Sequence, residues 1–192
     1  MCIRDSNGDG LEDVFVGGAI EQAGRLFIQN ADGLFAPIPG PWIADGRKED
    51  MGALFFDADN DGDNDLYVVS GGNEYKANSI AYKDRLYLNE GGNKFVKSED
   101  AIPTDMHVSG KIVEPCDYDN DGDVDLFVGG RLTPSKYPFA PRSYLLENEN
   151  GIFKDVTKEV APDLLQPGLV SCAVWVDHNG DGLSDLIVSG EW

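Results

Sequence analysis

Short acidic segments recur four times in this chain, and their aspartates are the residues best suited to do chemistry. The densest copy begins at Asp57, places five carboxylates within nine residues and continues directly into an apolar stretch. Two carboxylates about 4 Å apart repel by roughly 4 kcal/mol at an effective dielectric constant near 20. Such a loop needs either open water or a bound cation. The copies are DSNGDGLED from Asp5, DADNDGDND from Asp57, DYDNDGDVD from Asp117 and DHNGDGLSD from Asp177.

The four copies share oxygen-bearing side chains at positions 1, 3, 5 and 9 and a glycine at position 6. Glycine adopts positive φ at little cost, so the loop can bend and bring alternate side chains together. A site of about six to eight oxygen ligands suits Ca²⁺. Position 7 is predicted to contribute its main-chain carbonyl, because leucine occurs there in two copies. The predicted calcium-binding residues are Asp5, Asn7, Asp9, Leu11 and Asp13; Asp57, Asp59, Asp61, Asp63 and Asp65; Asp117, Asp119, Asp121, Asp123 and Asp125; and Asp177, Asn179, Asp181, Leu183 and Asp185.

Two other interpretations of these loops are weaker. An EF-hand loop starts in a similar way but needs a bidentate glutamate at position 12. Here position 12 is a valine inside an apolar stretch in every copy, and dockerin-type loops fail for the same reason. Asn, Asp and Gly also form ordinary turns. A turn does not explain oxygen atoms at the same four positions in four copies.

The segments around the loops predict β-strands. Each loop is followed by an apolar run, and the three later loops are also preceded by one. Further along each complete unit, two short apolar segments flank a Gly/Asn turn, which is typical of a hairpin. One unit therefore reads strand A, acidic loop, strand B, linker, strand C, turn and strand D. The hairpins are RLFIQNADGLF, RLYLNEGGNKF and SYLLENENGIF.

Four antiparallel strands in a unit that recurs along the chain are typical of a β-propeller blade. The B runs are apolar at consecutive positions, which indicates that both faces are buried between stacked blades. We therefore predict an all-β fold and a single β-propeller segment, residues 1–192. Residues 1–4 are not expected to form strand A, and the remaining blades of a longer chain are expected neighbours. The predicted divisions are a partial blade at 1–38, blades at 39–97 and 98–157, and a partial blade at 158–192.

The acidic motifs, with the strands DLYVVSGG and DLFVGG that follow them, resemble the FG-GAP/VCBS repeats of integrin-α-like β-propellers. The resemblance covers nearly the whole chain. The segments DRLYLNEGGNKF, DVTKEVAP and SGEW are more similar to bacterial secreted members related to cartilage acidic protein, some of which carry an ASPIC/UnbV-type domain. The resemblance implies Ca²⁺ in the loop between the first two strands of each blade, at positions 1, 3, 5 and 9.

The charge balance limits the partners. The chain has 35 acidic and 15 basic residues and a net charge of −20, which argues against nucleic acid and anionic membrane surfaces as partners, because their phosphates would be repelled. No stretch approaches the ~20 apolar residues that span a bilayer. We predict a secreted, cell-surface or periplasmic location, with any export signal lying before residue 1.

The linkers between strands are candidates for ligand binding. Because the strands alternate in direction, the B–C and D–A linkers lie at the end of each sheet opposite the acidic loops. They concentrate aromatic and basic residues, which are favoured at recognition sites. The alternative is that the aromatic residues pack the linkers onto the blades and the basic ones aid solubility. The candidates are Trp42, Arg47, Tyr75, Lys76, Arg131, Tyr137 and Arg142.

Catalytic motifs are absent from the sequence: it has no GxSxG, HExxH, CxxC or P-loop. We therefore predict no enzymatic activity for this segment. The favoured function is a calcium-stabilised extracellular module for adhesion, or for recognition of a protein or glycan. The alternative is the propeller portion of a secreted carbohydrate-active enzyme, such as a polysaccharide lyase, with its catalytic residues elsewhere.

Overall fold

A computed structural model describes residues 1–191 of the protein, over which fourteen strands form four antiparallel sheets. In each of the first three sheets, four strands lie side by side in chain order. The predicted all-β class, built from four-stranded antiparallel blades, is confirmed.

The first sheet is more complete than the sequence indicated. Its opening strand pairs with the next one, with Cys2 opposite Phe15 and Arg4 opposite Asp13. The prediction that residues 1–4 do not form strand A was therefore wrong. This three-residue strand has no apolar run to reveal it, because its pairing depends on main-chain groups that any residue supplies. The sheet contains β1 (Cys2–Arg4), β2 (Asp13–Val16), β3 (Arg25–Gln29) and β4 (Phe35–Ile38).

The other sheets follow the predicted A–B–C–D order. The second contains β5 (Glu49–Phe56), β6 (Asp65–Gly71), β7 (Arg85–Asn89) and β8 (Phe95–Ser98); the third contains β9 (Ser109–Cys116), β10 (Asp125–Leu132), β11 (Tyr144–Glu149) and β12 (Ile152–Asp155); the fourth pairs β13 (Leu169–Val176) with β14 (Asp185–Glu191). The helical pieces are α1 (Thr157–Val160) and 3-10 turns at Pro41–Asp45, Ile80–Tyr82 and Pro162–Leu165.

The apolar core lies between neighbouring sheets. All seven residues of β6 are buried, and successive side chains point into different cores. Leu66 and Val68 pack against the first sheet, whereas Tyr67 and Val69 pack against the third. A third, smaller cluster joins the third and fourth sheets. Burial on both faces explains why the B strands are continuously apolar.

Glycine allows two sheets to approach closely. A Cβ atom added to Gly52 on β5 would lie 2.7 Å from the main-chain oxygen of Lys111 on β9. A Cβ atom on Gly110 would lie 2.6 Å from a methyl carbon of Val69. Any larger residue at these positions would therefore push the second and third sheets apart.

Candidate metal centre

Each acidic segment connects the first two strands of a sheet and folds around the same hydrogen bond. The position-1 carboxylate accepts from the main-chain N–H of the position-6 glycine, and that glycine has φ between 84° and 101° in all four loops. This positive φ is why position 6 is glycine. The bonds are Asp5–Gly10 at 2.8 Å, Asp57–Gly62 at 3.0 Å, Asp117–Gly122 at 3.1 Å and Asp177–Gly182 at 2.9 Å.

Further local bonds hold the side chains at positions 3 and 5. The position-5 carboxylate accepts from the N–H of position 7 in every loop, at 2.8–2.9 Å. The position-3 side chains of Asn7, Asp119 and Asn179 accept from the N–H of position 5. Each of these bonds occupies one side-chain oxygen, so the loops are curled by their own backbone.

Three carboxylates converge in each of the two middle loops. In the second blade, oxygen atoms of Asp57, Asp59 and Asp61 all lie within 4.8 Å of one another. In the third blade, the converging oxygens belong to Asp117, Asp119 and Asp125. The first and fourth loops have asparagine at position 3. Within residues 1–191, carboxylate triplets of this kind therefore occur where position 3 is aspartate.

The second-blade loop has two oxygen atoms that need a partner. Oδ1 of Asp57 and Oδ1 of Asp59 are buried and have no hydrogen-bond donor within residues 1–191. A buried acceptor without a donor costs about 1–3 kcal/mol, and more when it is charged. A divalent cation would satisfy both oxygens and remove their mutual repulsion. Its preferred oxygen ligands are the donor set found here, so these residues fit Ca²⁺.

The pKa values reflect the crowding of carboxylates. Desolvation raises the pKa of Asp59, and the neighbouring charge of Asp61 raises it further. The pKa of Asp119 is also raised, mainly by desolvation. In the first loop, desolvation acts on Asp5 in the same direction, but main-chain hydrogen bonds from Gly10 and its neighbours outweigh it and lower the pKa. Unrelieved negative charge is therefore concentrated in the two middle loops.

The position-9 aspartate is a buried anchor between strands. In the second blade, Asp65 is fully buried, and its carboxylate accepts from the N–H of Ala58 at 2.8 Å and of Asn89 at 2.7 Å. Desolvation raises the pKa of Asp65 to about 7. Asp13 and Asp125 accept from the equivalent positions in the first and third blades. Asp125 also belongs to a carboxylate triplet, so it alone of these three combines the two arrangements.

Neighbouring loops are also joined through position 7. Oδ1 of Asp123 accepts from the side-chain amide of Asn60 in the preceding loop at 2.6 Å. Its Oδ2 accepts from the N–H of Asn150 at 2.8 Å. The equivalent Leu183 side chain is 58% exposed. The coordination of metal by the position-7 carbonyl stays a prediction.

Two asparagines near the ends of strands β7 and β11 were not predicted as functional residues. Asn89 donates its side-chain amide to the carbonyl of Ser6 at 2.7 Å and to that of Asn64 at 3.3 Å. Asn148 repeats this arrangement one blade later, with bonds to Ala58 and Val124. Each asparagine thus links its own acidic loop to the loop of the preceding blade. Alignment of the three C strands, in which Gln29, Asn89 and Asn148 are equivalent, carries the signal that could have revealed them.

Trp42 does not lie on a ligand-binding surface. Its side chain is 1% exposed and packs edge-on against Phe15, Tyr87 and Phe95, with ring centroids 5.4–5.9 Å apart. The linker carries it into the core between the first and second sheets. The expectation that Trp42 contacts a ligand is corrected by this burial, because an indole removed from solvent presents no face to a partner.

The other linker candidates are at least partly accessible. Arg131 forms an ion pair with Glu191 at 2.8 Å, and Arg142 pairs with Asp155. The Tyr75 hydroxyl donates to the carbonyl of Arg47 at 3.0 Å. The exposed candidates are Arg47, Lys76 and Tyr137. Their part in ligand binding stays a prediction.

Comparison with known proteins places these loops in a family. The profile of FG-GAP-like repeats matches residues 5–68 and 57–128, which together cover more than half of the chain. Each match starts at position 1 of one acidic loop and extends into the B strand after the next loop. No curated protein matches the chain, and no helix within residues 1–191 is long and apolar enough to cross a membrane. The chain belongs to the family of FG-GAP-like repeat proteins.

Proposed function

We propose that this chain is a calcium-stabilised, extracellular propeller module that recognises a protein or glycan ligand. The observation that carries the calcium part is the pair of unpartnered, buried oxygens on Asp57 and Asp59, held in a loop that its own backbone has already curled. FG-GAP repeats are typically extracellular. Extracellular calcium modules bind with dissociation constants of about 10⁻⁴–10⁻³ M, which is the affinity expected here.

Calcium would act on stability in this scheme. The acidic loops lie at the end of the sheets opposite the long linkers, and each middle loop is hydrogen-bonded to its neighbour. A cation that neutralises one loop would therefore strengthen the contact between two blades. The carboxylates of the loop would hold the ion. We therefore propose a binding role for the chain rather than a catalytic one.

Recognition is assigned to the linker end. The linker between β10 and β11 exposes two aromatic side chains, Tyr137 at 65% and Phe139 at 71% of their surface. Aromatic residues are enriched at interfaces relative to the rest of the surface. These two residues support a protein or glycan ligand at this end. A glycan array that compares the wild-type chain with a Tyr137→Ala/Phe139→Ala variant tests this part, and equal binding by both would contradict it.

Thermal unfolding tests the calcium part. A ligand bound only by the folded state at about ten times its dissociation constant adds roughly 1.4 kcal/mol per site. The melting temperature is therefore expected to rise with Ca²⁺ in the millimolar range and to fall when a chelator is added. Magnesium should act more weakly, because it requires octahedral geometry and gives up water reluctantly. An unchanged melting temperature in excess chelator would refute the proposal.

A further inference from the structure

A cluster of basic residues lies in the second blade, at the end away from the acidic loops. Four cationic side chains line one cleft with a volume of about 200 Å³. They come from the segment before β5, the start of β7 and the end of β8. The lining has four basic and two acidic residues, so the cleft is locally positive in a chain whose net charge is −20. The basic residues are Lys48, Lys83, Arg85 and Lys97.

Two acidic residues also line the cleft, Asp84 and Glu99. Glu99 is exposed and its carboxylate lies 3.7 Å from Nζ of Lys97, whereas Asp84 at the base is turned inward. Asp84 is 3% exposed, and its carboxylate accepts from the N–H of Ser70 at 2.7 Å and from the hydroxyl of Tyr67 at 2.9 Å. Burial raises the pKa of Asp84 to about 7. Its charge is therefore weakened near neutral pH and held by partners on the sheet rather than by the lysines.

Two of the lysines have no carboxylate partner within residues 1–191. Nζ of Lys48 donates to the main-chain oxygen of Lys83 at 2.6 Å, and Nζ of Lys83 donates to the main-chain oxygen of Glu99 at 3.2 Å. A carbonyl satisfies one N–H of an ammonium group but does not balance its charge. Desolvation, followed by repulsion from Arg85, lowers the pKa of Lys48 to about 8.

Arg85 also has a buried guanidinium nitrogen without a hydrogen-bond acceptor within residues 1–191. One terminal nitrogen of its guanidinium pairs with Asp50 at 2.6 Å and also donates to Ser70. The side chain is only 2% exposed, and its buried Nε atom has no acceptor within the described residues. The fourth cation, Lys97, is paired with Asp45 at 2.9 Å. The positive charge of the cleft that no carboxylate pairs with therefore resides on Lys48 and Lys83, and the Nε–H of Arg85 adds a donor without an acceptor among the described residues.

We infer that this cleft is a binding site for one oxyanion group, a carboxylate or a sulfate ester, with Lys48 and Lys83 as its contacts. Its volume equals roughly seven water molecules at about 30 Å³ each, enough for such a group and a few further atoms. An oxyanion would accept hydrogen bonds from ammonium groups that now meet only neutral carbonyls. The site goes beyond the proposed function and requires no metal.

Competitive acylation of lysines tests the inference on the unmodified chain. The protein, at saturating calcium, is treated with an amine-reactive ester, and the modification rate of each lysine is measured by peptide mass spectrometry. Sodium glucuronate or sodium methyl sulfate at about 100 mM should slow the modification of Lys48 at least threefold, as expected for a ligand of about 50 mM affinity or tighter. Sodium chloride of equal ionic strength and neutral methyl glucoside should not. The exposed Lys158 is the internal control.

The pattern of protection identifies the group. Protection by glucuronate alone assigns a carboxylate site, protection by methyl sulfate alone a sulfate-ester site, and protection by both a general oxyanion site. Absence of protection by either anion, or equal protection by the neutral glucoside, overturns the inference. Each of these outcomes is independent of whether calcium stabilises the fold.

A pair of variants supplies a second measurement. Lys48→Met keeps the aliphatic stem and removes the charge, whereas Lys158→Met makes the same change on an exposed residue outside every candidate site. Saturation-transfer NMR signals of glucuronate and methyl sulfate should persist with Lys158→Met and disappear with Lys48→Met. Thermal unfolding shows whether each variant is folded. Undiminished signals with a folded Lys48→Met chain would overturn the inference.

Discussion

The side-chain amide of Asn148 donates a 2.8 Å hydrogen bond to the main-chain carbonyl of Ala58, which lies 90 positions earlier in the chain. The same amide donates to the carbonyl of Val124, and the N–H of Asn148 donates to the Asp125 carboxylate. Ala58 and Asp125 belong to the acidic loops of successive blades. A single buried asparagine therefore connects two candidate metal sites and the sheets that carry them.

Replacing Asn148 by alanine should destabilise the fold. The carbonyls of Ala58 and Val124 would each lose a donor in a buried environment, which costs about 1–3 kcal/mol for each carbonyl. Urea denaturation in the presence of calcium measures the loss. The exposed neighbour Glu149 is the control, because Glu149→Ala should change stability by no more than about 0.5 kcal/mol. Similar losses for the two variants would show that the amide does not link the blades.

The Asp59→Asn variant should have opposite effects with and without calcium. Without metal, it removes a charge that lies against Asp57 and Asp61, so the melting temperature should rise. With metal, it replaces a charged ligand by a neutral amide oxygen, and calcium affinity should fall by about 10- to 100-fold, the range seen for lost outer-shell partners. Calorimetric titration and thermal unfolding measure the two effects. Asp163→Asn, an exposed change outside the loops, is the control, and a calcium response equal to that of wild type would contradict the assignment of Asp59.

The local features of this protein were readable from its sequence. The strands, the acidic loops and the bend at Gly62 each depend on a few adjacent residues, and four copies of the motif reinforce the pattern. Burial of β6 on both faces was also predictable, since its apolar residues are consecutive. These features required no knowledge of which distant segments meet.

The missed features all depend on contacts between distant segments. Metal binding by Asp65 stays a prediction, but the hydrogen bond that its carboxylate accepts from the N–H of Asn89, 24 residues later, was not predicted. Trp42 lies in a linker, and only the meeting of the first two sheets encloses it. The short β1 was missed because main-chain pairing leaves no pattern in side-chain type. The spacing of residues in the sequence identifies the type of loop, whereas contacts with distant segments determine the role of each carboxylate.

Truncating Trp42 should reveal its role in packing. The indole contacts three aromatic rings between the first two sheets, so Trp42→Ala leaves a cavity that costs about 3–5 kcal/mol. Trp42→Phe should retain part of this stability. Ile43→Ala, on the next residue and 57% exposed in the wild-type chain, should change stability by about 0.5 kcal/mol or less. Chemical denaturation measures all three, and a small loss for Trp42→Ala would restore the surface role that its sequence position suggested.

The buried Asp84 should make stability depend on pH in a defined direction. Burial raises the pKa of this carboxyl to about 7, against about 3.9 in an unfolded chain. Between these values the folded state binds more protons than the unfolded state, so this group adds stability as the pH falls. The contribution should develop from about pH 7 downward and be complete near about pH 4.

The Asp84→Asn variant isolates the pH-dependent contribution of Asp84 to stability, because the amide has nearly the same size and does not titrate. The free energy of unfolding, measured with urea, should shift in favour of wild type relative to Asp84→Asn as the pH is lowered from about 7 to about 5. Carboxylates elsewhere titrate in both proteins and cancel in the difference. The exposed Asp163→Asn variant should differ from wild type by a constant amount over the same range. A pH-independent difference for Asp84→Asn would mean that Asp84 remains ionised in the folded protein, where its charge would balance the lysines of the neighbouring cleft.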